Sequence, residues 1–354
     1  MHSGQGLSAL LFISPVVVIL GLFLLVPIGM AAWVSVSDWT GRGSPFAAGV
    51  HFIGLRNYQA FGQDGLARSD LMTSVRNNFY FVVLVVPLQT VLALGLALVL
   101  NSRRLRAKSF FRVAYYFPSV TSSVAIGIVF LFLFASSGSV NALLGLVGVN
   151  GPSWFADPRG LVHLALSGLG IVDPSNPPAA LVGHDLFGLS LWEWLAGPSV
   201  AMTSIVGLVI WVSAGGYLLM FLAALQNIPE DVNEAAAVDG ASTFQRVRLV
   251  TVPMLRPTMF LVLTLGLIGT WQVFDQIYIM SQGNPAKTTL TPAYLSYTTS
   301  FTSNQWGQGA AISFLLFLLI IVLTLVQRSA LREREDVRAT PRRGRRRRTA
   351  EVGS

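Results

Sequence analysis

The feature that most constrains this chain is a series of apolar stretches, each about as long as a bilayer is thick. A hydrocarbon core of about 30 Å takes roughly 20 apolar residues per helix. Six stretches fit that length: about 7–34, 79–100, 113–134, 200–225, 259–280 and 310–326. No Asp, Glu, Lys or Arg precedes Asp38, and the only charge inside the six is Asp275, near the end of the fifth. Only 11% of the 354 residues are charged. A soluble domain carries about 25%, so this chain cannot clothe a folded surface in charge. The expected fold class is an all-α membrane protein with six transmembrane helices.

The basic residues orient the spans. If both ends lie on one side, that side receives 18 of the 24 Lys and Arg. Cytoplasmic loops carry such an excess, so both termini are expected in the cytoplasm. An even number of spans requires the same. The first stretch lacks a basic leader and exceeds the apolar core of a secretion signal, about 7–15 residues. It is expected to be retained. Pro15 and Pro27 are expected to kink or interrupt it, which neighbouring helices in a bundle absorb.

Several kinds of chemistry are excluded. There is no Cys, and the four His (His2, His51, His163, His184) are far apart. Thiolate metal sites, disulfides and HExxH centres are therefore absent. The two lysines, Lys108 and Lys287, each follow Ala. No GK[ST] phosphate loop exists, so the chain carries no Walker-type ATPase of its own.

The outer loops carry few basic residues. The longest runs from about 135 to 199 and holds an apolar stretch, Leu161–Val172, too short to span. Trp154-Phe155-Ala156-Asp157-Pro158 is echoed by Trp194-Leu195-Ala196-Gly197-Pro198. The echo points to an extracytoplasmic insertion over about 158–193 within a transmembrane unit spanning 1–330. The remaining 331–354 form a basic tail, expected to be disordered and drawn to anionic lipid head groups. Nothing else in the chain supports binding to nucleic acid.

The loop between the fourth and fifth stretches, 227–257, is built like a folded element. Pro229 suits the first turn of a helix, and Glu230 and Asp231 complement its positive end. Glu234–Val238 are strong helix formers, Gly240 fits a left-handed C-cap, and Ser242 with Gln245 reads as a capping box. Two short helices meeting at a small-residue elbow are expected. From the residues alone, it is either a knob for a cytoplasmic partner or a hairpin resting on the membrane.

Glu234-Ala235-Ala236-Ala237-Val238-Asp239-Gly240-Ala241-Ser242, continuing to Val252-Pro253 and Arg256-Pro257, resembles the EAA loop of binding-protein-dependent ABC transporter permeases. Val247 stands where those permeases usually carry Phe, and Phe244 where another large side chain is common. The segments 52–58, 110–118 and 274–278 resemble the carbohydrate-uptake branch. The resemblance implies a transmembrane subunit of an importer in a prokaryotic cell membrane. It implies that Glu234, Ala235, Ala236, Asp239, Gly240 and Ala241 dock an ATP-binding subunit dimer. It also implies a second, different permease and an extracytoplasmic solute-binding protein. No cofactor is expected in this chain; ATP and Mg would belong to the partner ATPase.

The substrate path is sought among polar groups inside the spans, which are costly unless used. Trp271, Asp275 and Tyr278 are spaced for one face of a continuous helix, with Gln272 and Gln276 beside them. Rings that cover C–H faces and amides that bond hydroxyls suit a sugar or polyol. An interfacial aromatic belt is the competing reading. Asn78, opening the second span, is a further candidate. The rival functions are a secondary transporter or channel acting without an ATPase, and an importer of the same class for a glycerol-phosphate-like solute.

Overall fold

The computed structural model describes residues 3–102, 105–174 and 176–336. Helix α1 runs Ser3–Leu20 and passes through one wide π-turn, Gly21–Leu25, into Val26–Ser35. Helix α2 is Leu66–Asn101, α3 is Lys108–Val120 and α4 is Ser123–Leu133. A short helix α5 (Leu161–Gly168) and a hairpin, β1 (Asp185–Leu186) with β2 (Leu189–Ser190), occupy the long outer segment. Then follow α6 (Val200–Gln226), α7 (Glu230–Val238), α8 (Thr243–Met254), α9 (Arg256–Trp271) and α10 (Asp275–Met280). Helices α11 (Pro292–Tyr297) and α12 (Trp306–Asp336) complete the described chain.

Among the described residues, four helices are long and apolar enough to cross a membrane, or six if the bent pairs α3/α4 and α8/α9 each count as one crossing. The core forms where α2 and α6 lie against each other. At one end Phe81, Val85, Met202 and Ile205 pack with Ile277 from α10. At the other, Ala93, Ala97, Leu218 and Phe221 pack with Leu255 and Val262. That second end leads directly into α7 and α8. Small residues permit close crossings: a Cβ on Gly215 of α6 would lie 2.2 Å from the Tyr115 carbonyl oxygen of α3.

Four expectations are corrected. First, neither proline interrupts α1. The ring of Pro27 would clash with the carbonyl one turn back, and the π-turn widens the helix there: Val26 N–H donates to Gly21. Second, the stretch 113–134 is not straight. It bends by 99° between α3 and α4. Ser119 and Thr121 hydroxyls donate back to the carbonyls of Tyr116 and Phe117 at 2.7 and 2.8 Å, just after Pro118, and divert the backbone. Third, the stretch 259–280 is not one helix, because the chain unwinds at 272–274. Fourth, Pro229 is not inside the first turn of α7; it is the N-cap, with extended backbone (ψ 138°), and the helix starts at Glu230.

The long outer segment leaves and rejoins the bundle at one neck. Gly160 bridges Ser199, Leu161 N–H donates to Pro198 O at 2.9 Å, and Val200 N–H donates to Arg159 O at 3.1 Å. The two echoing segments are not paired with each other: Trp154 O accepts from Ser204 Oγ at 3.3 Å near the start of α6, and Ala196 O accepts from Val162 N–H at 3.1 Å. His163 of α5 stacks on Trp192 at 3.7 Å. Arg76 donates to the Glu193 carbonyl at 3.2 Å, and the Tyr80 hydroxyl donates to the Trp194 carbonyl, fastening this segment to α2. The basic tail expected over 331–354 lies outside the described residues from 337 onward, and only the backbone helix is described before that.

Candidate functional site

The elbow between α7 and α8 is tightly specified. Helix α7 stops in a Schellman motif: Ala241 N–H donates to Ala236 O at 3.0 Å and Gly240 N–H to Ala237 O at 3.1 Å. Gly240 adopts φ +78°, a conformation that costs side-chain-bearing residues energy. Ser242 then opens α8 with a reciprocal box: Ser242 N–H donates to Gln245 Oε1 at 2.8 Å, and Gln245 N–H donates to Ser242 Oγ at 3.3 Å. Both helix ends are thereby satisfied without help from the bundle. Glu234, Ala235, Asp239 and Gly240 are exposed, and Ala236 and Ala241 half-buried. Beside them Val238 is 88% and Phe244 72% exposed. Both are large apolar side chains open to the surroundings on an otherwise polar loop.

The second site lies where the fifth stretch unwinds. A broken membrane helix frees carbonyls that must find donors. Asn78 Nδ2 donates to Trp271 O at 3.1 Å, and Thr291 Oγ1 donates to Val273 O at 3.2 Å. Asn78 and Thr291 are both fully buried. The adjoining Asn77 donates to the carbonyls of Lys287 and Leu290 at 2.8 and 3.0 Å, pinning the following loop. The break is thus held open by Asn78 of α2 and by Thr291 of the loop that follows α10.

The break opens a cavity of about 280 Å³, with Gln89, Ser213, Tyr217, Gln272, Asp275 and Gln276 on its wall. The bend of the third stretch delivers Ser123, at the start of α4, to Asp275, where its hydroxyl donates to Oδ2 at 2.9 Å. Gln89 is 1% exposed, and neither its Nε2 nor its Oε1 has a hydrogen-bond partner. Gly266 makes room for it, since a Cβ there would lie 2.5 Å from Nε2.

Of the residues singled out from sequence, Gln272, Asp275 and Gln276 line this cavity. Trp271 does not share a helix face with Asp275 and Tyr278: it ends α9 and is buried, whereas the other two belong to α10. Asn78 stabilises the break from behind rather than facing the cavity. Gln89 was missed, although a Gln amid the apolar run of α2 is a signal of its own. Among the described residues no group of three His, Asp or Glu is placed to hold a metal.

An opposed pair of half-broken apolar helices around a polar cavity defines a membrane transport component. Residues 89–333 match the family model described as binding-protein-dependent transport system inner membrane component, and the chain belongs to this family. It is similar to the lactose transport system permease protein LacF of Rhizobium radiobacter: 30% identity over 330 residues, covering 92% of this chain and 94% of that protein. It is also similar to the trehalose/maltose transport system permease protein MalF of Thermococcus litoralis, at 28% identity, covering 92% and 94%. Its fold matches a chain of a bacterial ABC transporter that imports the acidic polysaccharide alginate, with TM-score 0.68, 18% identity, and coverage of 93% and 96%. A second structure of a bacterial alginate transporter, in complex with a pentasaccharide-bound periplasmic protein, matches with TM-score 0.66, 19% identity, and coverage of 93% and 94%.

Proposed function

We propose that this chain is a transmembrane subunit of an ATP-driven importer for a sugar or related polyol. Relatives named for lactose and for trehalose/maltose, covering nearly the whole chain, support the sugar reading. On this reading the bundle crosses the membrane six times, with α3/α4 and α8/α9 each counted as one bent crossing. Both termini and the elbow face the cytoplasm, and the 158–193 segment faces outward. A dimer of ATP-binding subunits, carrying ATP and Mg, grips the elbow through Glu234, Ala235, Ala236, Asp239, Gly240 and Ala241. A second permease chain completes the bundle, and an extracytoplasmic solute-binding protein delivers the solute. The solute passes the cavity at Gln272, Asp275 and Gln276.

The observation that carries this reading is the self-capped elbow with Val238 and Phe244 exposed. A rigid knob transmits a rigid-body motion, whereas a floppy loop does not. Closure of the ATPase pair would move the knob and rock the helices between inward-open and outward-open states.

Gly240→Pro tests the reading. Proline fixes φ near −65° and cannot adopt +78°, so the elbow must rearrange. In a purified complex, loaded binding protein should stimulate ATP hydrolysis in the wild type and fail to do so in the variant. Equal stimulation in both would remove the elbow from the mechanism. Purification of the tagged chain without any ATPase would favour a secondary transporter instead.

A further inference from the structure

At the helix break, the cavity is bordered by the first of a line of aromatic rings that no single helix could present. Phe274, in the break itself, lies on the cavity wall. Its ring centroid is 5.3 Å from Tyr297 at the end of α11, and Tyr297 is 5.1 Å from Phe301 in the π-turn Thr298–Thr302. Phe301 is 4.7 Å from Trp306 at the start of α12, and Trp306 is 5.5 Å from Trp39 in the first outer loop. Tyr278 of α10 flanks the inner end, 5.4 Å from Tyr297 and 5.5 Å from Phe274. The line therefore runs from the cavity to the end of the bundle opposite the elbow.

Two details distinguish this line from a belt of rings at a lipid boundary. Belt residues spread around a perimeter, whereas these converge from five separate segments onto one path. The line also surfaces at one ring, within a polar stretch of chain. Phe301 is 59% exposed and is followed by exposed Thr302, Ser303, Asn304 and Gln305. Gly41 is shaped to the path: at φ +86°, a Cβ there would lie 2.0 Å from the Trp306 indole nitrogen, so only glycine lets the indole rest on this loop. At the inner end, Gln89, whose amide is buried without a partner, belongs to the wall of the cavity that Phe274 borders.

We propose that these rings form a stacking path that hands a saccharide of two or more sugar units from the mouth at Trp39 and Phe301 to the cavity at Gln89. Ring faces cover the C–H faces of successive sugars, and each ring is near enough to the next that one sugar is engaged before the previous contact is released. The amides and carboxylate of the cavity then receive the hydroxyls. This inference rests on the sugar-importer reading above and adds a direction and a minimum length to its substrate.

The test compares Phe301→Leu with Phe301→Tyr. Leucine keeps an apolar side chain but removes the ring face; tyrosine keeps both. Phe301 is exposed and lies outside the buried core, so folding should survive, and equal melting temperatures would check that. The complete complex with its binding protein is reconstituted in vesicles and offered lactose, trehalose, maltose, maltohexaose and arabinotriose. For sugars the wild type carries, Phe301→Leu should lower kcat/KM by about three- to tenfold, the equivalent of one ring contact. The loss should be larger for maltohexaose than for maltose, and Phe301→Tyr should restore uptake. Unchanged uptake in Phe301→Leu, or equal loss in both variants, would overturn the path while leaving the importer reading intact. Import of none of these sugars by the wild type would overturn the sugar reading itself, and the path with it.

Discussion

The side-chain amide of Asn78 donates to the backbone carbonyl of Trp271 at 3.1 Å, and both residues are buried. This bond and that of Thr291 to the Val273 carbonyl replace part of what the helix surrendered when it unwound at 272–274. Asn78→Leu leaves that carbonyl unsatisfied in an apolar setting, at a cost of about 1–3 kcal/mol, offset in part because it also removes the buried, unpartnered Asn78 Oδ1. The thermal or denaturant midpoint of the purified complex, read by Trp fluorescence, should fall accordingly. An unshifted midpoint would mean that the break does not depend on α2.

Gln89 makes the opposite prediction. Both of its polar amide atoms are buried without partners, so replacing it with an apolar side chain of similar size removes a penalty. Gln89→Leu should match or exceed the wild-type unfolding midpoint while slowing solute uptake. Such opposition between stability and activity marks a residue kept for use. A destabilised variant would show that Gln89 supports the fold instead.

Neighbouring glycines of α6 should behave differently. A Cβ on Gly215 would strike the Tyr115 carbonyl oxygen, whereas a Cβ on Gly216 meets nothing within 4 Å. Gly215→Ala should destabilise by about 1–3 kcal/mol, because the obstacle is backbone. Gly216→Ala should be neutral, or stabilise by about 0.5–1 kcal/mol through helix propensity. Yields of monodisperse protein and unfolding midpoints check the pair.

The elbow depends on its cap. Ser242→Ala removes the acceptor for Gln245 N–H, at a cost of about 0.5–2 kcal/mol to the start of α8. Hydrogen exchange across 243–246 should accelerate, and Ser242→Thr should restore protection. Transport that falls in step with the exchange would tie elbow rigidity to coupling.

The neck of the outer segment should be acid-sensitive. The Asp157 carboxylate is buried, and the Arg159 guanidinium bonded to it holds its pKa below the ordinary value of 3.8. A carboxyl whose folded pKa is depressed adds stability that is fully present above its unfolded value. That stability is lost as pH falls through the folded value. Acid below 3.8 should therefore loosen the neck in the wild type. Asp157→Asn should be weaker at neutral pH and less sensitive to acid over that range, as followed by limited proteolysis of the 160–199 segment.

The sequence made the apolar framework and the elbow readable for different reasons. Long apolar runs are set by membrane thickness, and the caps at Gly240 and Ser242 are local chemistry, fixed by residues three or four apart. The breaks were hidden because their causes are distant. Nothing near Gln272 announces an unwound helix. What permits it is Asn78 and Thr291, one almost two hundred residues earlier and the other on the next loop. The helical spacing of Trp271, Asp275 and Tyr278 was therefore a true pattern read on the wrong backbone. The bend at Thr121 left a fainter trace in Pro118 and the hydroxyls around it.

The joining of Gly160 to Ser199 has a wider consequence. Everything strung between those two positions is a pendant whose stem has a fixed width. Arg76 and Tyr80 tie the 193–194 end of the pendant to α2 as well, so a change of length is tolerated best near α5, away from that tie. An epitope spliced directly after α5, at exposed 169–170, should therefore be displayed without disturbing the helices beneath.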